Sequence, residues 1–369
     1  MRICHTWSRS TVTSGVLIAL AASACGRVGA LSGNDASASS DGRAPDATDG
    51  LEPIHYVGRF DLSAPTAPVF EWSGSAIWTR FSGTTISAEI EGDANDFEIE
   101  VDGTRGPVLT HPGDDHTYVL ASGLAAGEHD LKLTRRTEAF FSTTTFHGFT
   151  GATLVDTPRP TRLIEMIGDS ITCGYGITGV GPNCGFSHDT EAETHAYGAL
   201  AAAQLDATHH AICWSGIGVY RNYNDQDGML MPERYGLIKP NEQSGAWDFS
   251  VIPQVVVINL GTNDFSVGVD PGQNYVDAMI AFIAKIRGHY ASVPIVLTTS
   301  PMMNGDDEHA TQKGYLDTAA ASDPNTSVLD IPQQDGDVDG LGCDYHPNDV
   351  TAQKMADKLA TRLRALLGW

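Results

Sequence analysis

Ser170 stands in Gly168-Asp169-Ser170, directly after the apolar run Leu163, Ile164, Met166 and Ile167. A serine hydroxyl is a weak nucleophile until a base lies within hydrogen-bond reach, and the adduct it forms requires N–H donors aimed at the developing oxyanion. An isolated Gly-Asp-Ser also suits a turn in which the serine bonds its own backbone. Three later clusters shift the balance towards chemistry: Ser215-Gly216-Ile217-Gly218, Gly261-Thr262-Asn263-Asp264 and Cys343-Asp344-Tyr345-His346-Pro347. Together they hold an imidazole and amide donors, the kinds of group that acyl transfer uses.

The elements that must position these groups follow from periodicity. The run 163–167, interrupted only by Glu165, suits a buried strand of a parallel sheet, and the C-terminal ends of such strands are where ligands bind in open α/β sheets. Further strands are predicted at 209–214, 254–259, 294–299 and 327–331, with helices at about 193–205, 275–289, 307–321 and 348–367. The last keeps Ala352, Met355, Ala356, Leu359, Leu363 and Leu366 on one face, and Asn348 is placed to cap it. Strands alternating with helices predict a parallel sheet flanked by helices on both faces.

Upstream the grammar differs. Between residues 54 and 155 short alternating runs recur, at 85–90, 97–101 and 127–133, separated by turn signals such as Asp102-Gly103. No run is long enough for a helix with a broad apolar face, so an all-β sandwich is expected. Trp72, Trp78 and Phe81 suit core packing, with a sugar-stacking platform as the alternative. Thr157-Pro158-Arg159-Pro160 reads as a stiff linker.

The order of the four clusters matches the conserved blocks of the SGNH (GDSL) hydrolases. The resemblance extends to carbohydrate esterase family two through Gly168-Asp169-Ser170-Ile171-Thr172-Cys173-Gly174-Tyr175-Gly176, Trp214-Ser215-Gly216 with Val219-Tyr220-Arg221-Asn222, and Gly342-Cys343-Asp344-Tyr345-His346-Pro347. The N-terminal region, with Arg59-Phe60-Asp61, Trp72-Ser73-Gly74-Ser75 and Arg135-Arg136-Thr137-Glu138, is similar to that family's β-sandwich. The resemblance implies a jelly-roll sandwich ahead of a three-layer α/β SGNH hydrolase, and removal of acetyl groups from xylan or related polysaccharides. It also implies that Ser170 is the nucleophile and His346 the base, with the N–H groups of Ser170 and Gly216 and the Asn263 amide as oxyanion hole. No metal or organic cofactor is implied. The wider pattern is Asp-x-x-His, whereas Cys343 stands three residues before His346 and Asp344 only two before. Two readings follow: a triad in which Asp344 orients the imidazole, or a Ser-His dyad oriented by a backbone carbonyl. Rival functions are an SGNH lipase, thioesterase or lysophospholipase acting on longer acyl chains, and a surface glycan-binding protein.

The chain has 369 residues and a formal net charge of -24, its acidic residues spread along its length. That field disfavours nucleic acid and anionic lipid and suits neutral glycans. Residues 1–24 read as an export signal, with Arg2 and Arg9 ahead of a short apolar stretch, and 25–52 as a Ser/Ala/Asp/Gly tether. The sandwich is expected over 53–156 and the hydrolase over 161–369. The signal's end fits both an Ala-x-Ala cleavage site and a lipobox that would lipidate Cys25, the one membrane tether the sequence offers. Export permits disulfides: a Cys173–Cys184 bridge would stiffen the rim of the site, leaving Cys213 and Cys343 to pair or remain thiols. Gly174-x-Gly176-x-x-Gly179 lacks the helix a phosphate-binding loop requires and reads as an active-site loop. Asp335-x-Asp337-x-Asp339-Gly340 resembles a calcium loop but has His346 at the twelfth position, so a solvated acidic turn is expected. His209-His210 reads as structural.

Overall fold

The computed structural model describes residues 51–113 and 116–369. The export signal, Cys25 and nearly all of the tether lie outside the described residues. The N-terminal part is built of β1 (Leu51–Glu52), β2 (His55–Val57), β3 (Phe60–Asp61), β4 (Val69–Phe70), β5 (Ala76–Glu91), β6 (Asp96–Val101), β7 (Thr104–Thr110), β8 (Thr117–Arg135), β9 (Thr144–Thr150), β10 (Thr153–Val155) and β11 (Thr157–Pro158). Nine strands form one antiparallel sheet in the order β3-β4-β9-β5-β8-β6-β7, with β2 and β10 also paired to β5. The three alternating runs fall inside β5, β6 and β8. Strands β5 and β8 are longer than those runs suggest, because register shifts after Gly83 and after Ile86 let one ribbon bend without ending. The bent sheet encloses a core of Phe70, Ile77, Phe81, Ile90, Phe97, Leu131 and Phe146.

Leu51 and Glu52, expected at the end of the tether, instead pair with Pro158 and Thr157 of the expected linker. Backbone pairing of this kind has no compositional signature, and it joins the two ends of the β-rich part. Trp72 and Phe81 are core residues, at 1% and 0% exposure.

The C-terminal part comprises β12 (Leu163–Gly168), α1 (Ser170–Cys173), α2 (Tyr197–Gln204), β13 (Thr208–Cys213), α3 (Met231–Arg234), β14 (Leu237–Lys239), β15 (Ser244–Ala246), β16 (Val255–Asn259), α4 (Thr262–Phe265), α5 (Gly272–His289), β17 (Ile295–Thr298), α6 (Asp306–Ala320), β18 (Thr326–Leu329) and α7 (Asp349–Leu367). Strands β13-β12-β16-β17-β18 form a wholly parallel sheet in that order. Side chains alternate across it. Ile164, Met166, Val255 and Val257 cluster with Tyr197 and Ala201 of α2 and with Met355, Leu359 and Leu363 of α7. Ile167, Val256 and Ile258 cluster with Met279, Phe282, Ile283 and Ile286 of α5. Truncating one such residue, for example Leu359→Ala, costs about 2–5 kcal/mol. Asn348 caps α7 as its position suggests, its side chain accepting from the N–H groups of Val350 and Thr351 at 3.1 Å each.

The helix expected over 193–205 begins only at Tyr197. Residues Glu193–His195 form a 3-10 turn, and Ala196 is extended at φ -67, ψ 157. The Glu193 carboxylate is held by His209 at 2.6 Å, and the Thr194 carbonyl accepts from Arg105 at 2.8 Å, so tertiary bonds override local helix propensity.

Glu165, the one charge in the buried run of β12, has its explanation in the β-rich part. Arg59 reaches it at 3.4 Å, and the Tyr235 hydroxyl donates to it at 2.6 Å. The Arg59 guanidinium also donates to the Tyr235 carbonyl and lies over the rings of Tyr235, Trp247 and Phe249 at 5.0–5.4 Å. Trp72 completes this seam by donating to the Leu237 carbonyl at 3.0 Å.

Candidate active site

In the parallel sheet, β12 has β13 on one side and β16 on the other, so the chain reverses its direction of travel across the sheet at β12. Such a switch point opens a crevice at the C-terminal strand ends. Ser170 follows β12, Gly216 follows β13 and Asn263 follows β16, so the topology brings three of the expected residues to one crevice. Asp169 caps α1, accepting from the Ile171 N–H at 3.0 Å, and Ser170 opens that turn at 6% exposure.

His346 Nε2 lies 2.8 Å from Ser170 Oγ. Its other nitrogen, Nδ1, faces two backbone carbonyls, those of Cys343 and Asp344, at 3.2 Å each. Donation from Nδ1 to these carbonyls leaves Nε2 as the acceptor, the tautomer that a base requires. Burial pushes the imidazole pKa down to about 4, so the ring is neutral at ordinary pH.

Of the two readings of Asp344, the side-chain placement matches the dyad geometry. Its carboxylate accepts from the Tyr175 hydroxyl at 2.6 Å and makes no hydrogen bond to His346. Asp344 and Tyr345 both lie in the left-handed region, at φ 48 and φ 64, which turns backbone carbonyls towards the imidazole and the Asp344 side chain away. Main-chain carbonyls, and not the Asp344 carboxylate, face His346 Nδ1.

The disulfide pairing, open in the sequence, joins Cys173 to Cys213 and Cys184 to Cys343, so Cys173 and Cys184 are not bridged to each other. The first follows from register, since Gly168 of β12 lies opposite Cys213 of β13, and Cys173 sits one turn beyond. It ties the Ser170 turn to the strand leading to Gly216. The second ties the His346 loop to the Gly-rich loop. Gly176 makes room for it: the residue has φ 60, and a Cβ there would stand 2.7 Å from Cys343 Cβ. The Cys343 N–H donates to the Gly176 carbonyl at 2.9 Å.

Gly216 occupies φ 77, and its neighbour Ser215 is held from the β-rich part. The Glu138 carboxylate accepts from the Ser215 N–H at 2.6 Å and from the Ser215 hydroxyl. Glu191 lies behind it, its carboxylate accepting from the Glu138 N–H at 3.1 Å. Burial raises both acids, Glu191 furthest because the Glu138 charge adds to the effect. The loop that presents Glu138 folds around fully buried Arg135, which donates to the carbonyls of Thr137, Glu138 and Ser142 at 2.7–3.0 Å.

Asn263 sends one amide hydrogen to the Ile217 carbonyl at 2.8 Å and stands 3.4 Å from Asp169, between the Ser170 turn and the Gly216 loop. Asp264 accepts from the N–H groups of Val219, Tyr220 and Arg221 at 2.7–3.2 Å. Burial pushes Asp264 up to about 6 and Asp169 up to about 7.

An aromatic wall adjoins the imidazole, and sequence reasoning did not single it out. Tyr175 lies over His346 with ring centroids 4.2 Å apart, and Phe186 stacks on Tyr175 at 4.5 Å. Phe140 and Phe141 of the β-rich part reach Phe186 at 5.8 and 5.7 Å, and Trp214 stands 5.7 Å from Phe140. The available signal was Glu138-Ala139-Phe140-Phe141, which breaks strand alternation and places a charge beside two exposed-type aromatics.

The remaining motifs have other work. Asp339, its side chain 8% exposed, pairs with Lys354 at 2.6 Å, and Asp335 accepts from two turn N–H groups. His209 pairs with buried Glu193, and burial pushes His210 down to about 3, so both are structural.

Residues 56–158 match the family model "Carbohydrate esterase 2 N-terminal", and residues 166–354 match "GDSL-like Lipase/Acylhydrolase family". The chain is 40% identical over 328 residues to the cellulase/esterase CelE of Acetivibrio thermocellus, covering 86% of this chain but 40% of that protein's length. It is 30% identical over 340 residues to an acetylxylan esterase / glucomannan deacetylase of Cellvibrio japonicus, covering 86% of this chain and 92% of the relative. A family two carbohydrate esterase from Clostridium thermocellum, solved in complex with cellohexaose, superposes with TM-score 0.82 at 39% identity, covering 86% of this chain and 99% of that one. With the β-rich part matched over 56–158 and the hydrolase part over 166–354, the chain belongs to carbohydrate esterase family 2, joining that family's N-terminal domain to a GDSL-like hydrolase domain of the SGNH fold.

Proposed function

We propose that the protein is a carbohydrate O-acetyl esterase that deacetylates xylan, glucomannan or related plant polysaccharides through an acyl-enzyme on Ser170. The observation that carries this reading is the 2.8 Å contact between Ser170 Oγ and His346 Nε2 in the crevice at the switch point of the sheet. Ser170 attacks the acetyl carbonyl while His346 Nε2 takes the hydroxyl proton, and the Cys343 and Asp344 carbonyls steady the imidazolium through Nδ1–H. The N–H groups of Ser170 and Gly216 hold the oxyanion. Asn263 joins them by turning to the oxyanion the amide hydrogen it now sends to the Asp169 carboxylate at 3.4 Å, the longer of its two bonds, while the Ile217 carbonyl keeps the other at 2.8 Å. One such donor is worth about a hundredfold or more in rate. His346 then protonates the departing sugar hydroxyl, and water deacylates Ser170 by the same route.

The aromatic wall offers apolar faces on which a neutral pyranose ring can stack, and the acidic surface suits an uncharged glycan. The finer architecture belongs to this reading as well: a jelly-roll sandwich preceding a three-layer hydrolase over 161–369. An export signal over 1–24 and a tether ending before Leu51 would place both disulfides in an oxidising compartment, with Cys25 as the residue a lipid anchor would use.

Acetate release from acetylated xylan and from 4-nitrophenyl acetate, beside butyrate and octanoate esters, tests the proposal with wild type and Ser170→Ala. Selective acetate release that disappears in the variant is the expected result. Preference for the octanoate ester would replace the reading with a lipase.

A further inference from the structure

Among the described residues, one group of side chains is placed to hold a metal ion, and it lies outside the crevice. Asp96 opens β6 and His111 follows β7, both in the β-rich part. His188 lies in the segment of the hydrolase part that carries Phe186 and Glu191. His111 Nε2 and His188 Nδ1 are 3.2 Å apart, and they stand 3.6 and 3.7 Å from the Asp96 carboxylate oxygens. Ligand atoms about 2.1 Å from a tetrahedral ion are separated by roughly 3.4 Å, the spacing this trio already has.

A hydrogen bond between the two imidazoles accounts for their closeness but not for Asp96. That residue is 2% exposed, and its Oδ1 is buried without a hydrogen-bond partner. A buried, unsatisfied carboxylate oxygen is costly unless something cationic completes it. The backbone that carries this carboxylate is held on both sides, since the Asp96 N–H donates to Thr137 Oγ1 at 3.2 Å and its main-chain carbonyl accepts from the Arg136 N–H at 2.9 Å. Two other charges bear on the trio. Arg136 acts on Asp96 through its field, and the exposed Asp189 carboxylate stands 3.2 Å from His188 Nδ1. The His111 and His188 side chains are 40% and 30% exposed, which leaves a solvent-facing side for entry and for a water ligand.

We propose that Asp96, His111 and His188 bind one divalent first-row transition-metal ion, zinc foremost, through an Asp96 carboxylate oxygen, His111 Nε2 and His188 Nδ1, with water completing the shell. Two imidazoles and one carboxylate suit zinc better than calcium or magnesium, which favour all-oxygen shells. The ion would clip the Phe186–Glu191 segment to the β-rich part, bracing the aromatic wall from outside. It takes no part in ester hydrolysis, and the proposal does not depend on the esterase reading.

The test uses the full chain, stripped with chelator and titrated with zinc chloride by calorimetry and thermal melting. One equivalent is expected to bind and to raise Tm by about 5 °C at hundredfold excess over Kd. Cobalt substituted for zinc should show the visible bands of a four-coordinate ion. His188→Ala and, separately, His111→Gln should each abolish the stoichiometric phase. His111 is half-exposed and outside any strand, so the second variant tests the site even if the first misfolds. Absence of stoichiometric binding to the stripped protein, or equal binding to both variants through other surface histidines, overturns the proposal.

Discussion

Two buried clusters of ionisable groups join the β-rich part to the hydrolase part, and they are built on opposite principles. Around Arg59 the charges are opposite: the guanidinium meets Glu165 at 3.4 Å and is sandwiched among aromatic rings. Around Ser215 two acids crowd together: Glu138 and Glu191 share a fully buried site, and burial raises both even though the Arg135 and Arg234 guanidiniums act against the rise. The first arrangement supplies cohesion and lies away from the crevice. The second is worse for stability, yet its carboxylate fixes the peptide that carries Gly216. The molecule accepts a crowded pair of buried acids where a backbone N–H must be aimed.

Substitutions can separate these roles. The largest effect expected is on stability: Arg59→Met leaves Glu165 buried without its cation and should cost about 3–5 kcal/mol, read as a lower denaturation midpoint. Activity per folded molecule should change little. Glu138→Ala should do the reverse, lowering kcat by about a hundredfold, or about 2.7 kcal/mol, through a misplaced oxyanion donor while KM changes less. Equal losses of kcat in both variants would erase the contrast drawn above.

The pH dependence sharpens it further. Because the folded-state pKa of Glu191 is raised, the stability that the pair contributes is present below the ordinary carboxylate pKa and is lost as pH rises through the raised value. Glu191→Gln keeps a neutral partner for Glu138 and should flatten the fall in Tm as pH rises above the ordinary carboxylate range. Catalysis follows a different group. His346 must be neutral to accept a proton, so kcat/KM should fall as pH drops through about 4 and level off above it. The smallest effect expected is that of Asp344→Asn, less than about threefold in kcat, because its carboxylate bonds Tyr175 while its carbonyl serves His346. A loss of a thousandfold there would restore the triad.

What could be read from the sequence was local. Gly168-Asp169-Ser170 follows its own strand, Asn348 caps its own helix, and the parallel strands announce themselves as apolar runs. What could not be read depends on backbone sign or on distant partners. The role of Asp344 turns on positive φ at two consecutive non-glycine residues, which no spacing reveals. Glu138 meets Ser215 across 77 residues, and Cys184 meets Cys343 across 159. The Asp96, His111 and His188 trio comes from three separate loops and strand ends, so it forms no motif.

The Cys184–Cys343 bond holds the histidine's loop by covalent means three residues from the reacting nitrogen. With both thiols reduced, the loop that carries His346 would rest on non-covalent contacts alone, so on the proposed mechanism closing this one bond would be the step that fixes the imidazole opposite Ser170. Mild reductant should lower kcat before it lowers ellipticity, and recovery on reoxidation should track the return of this one bond.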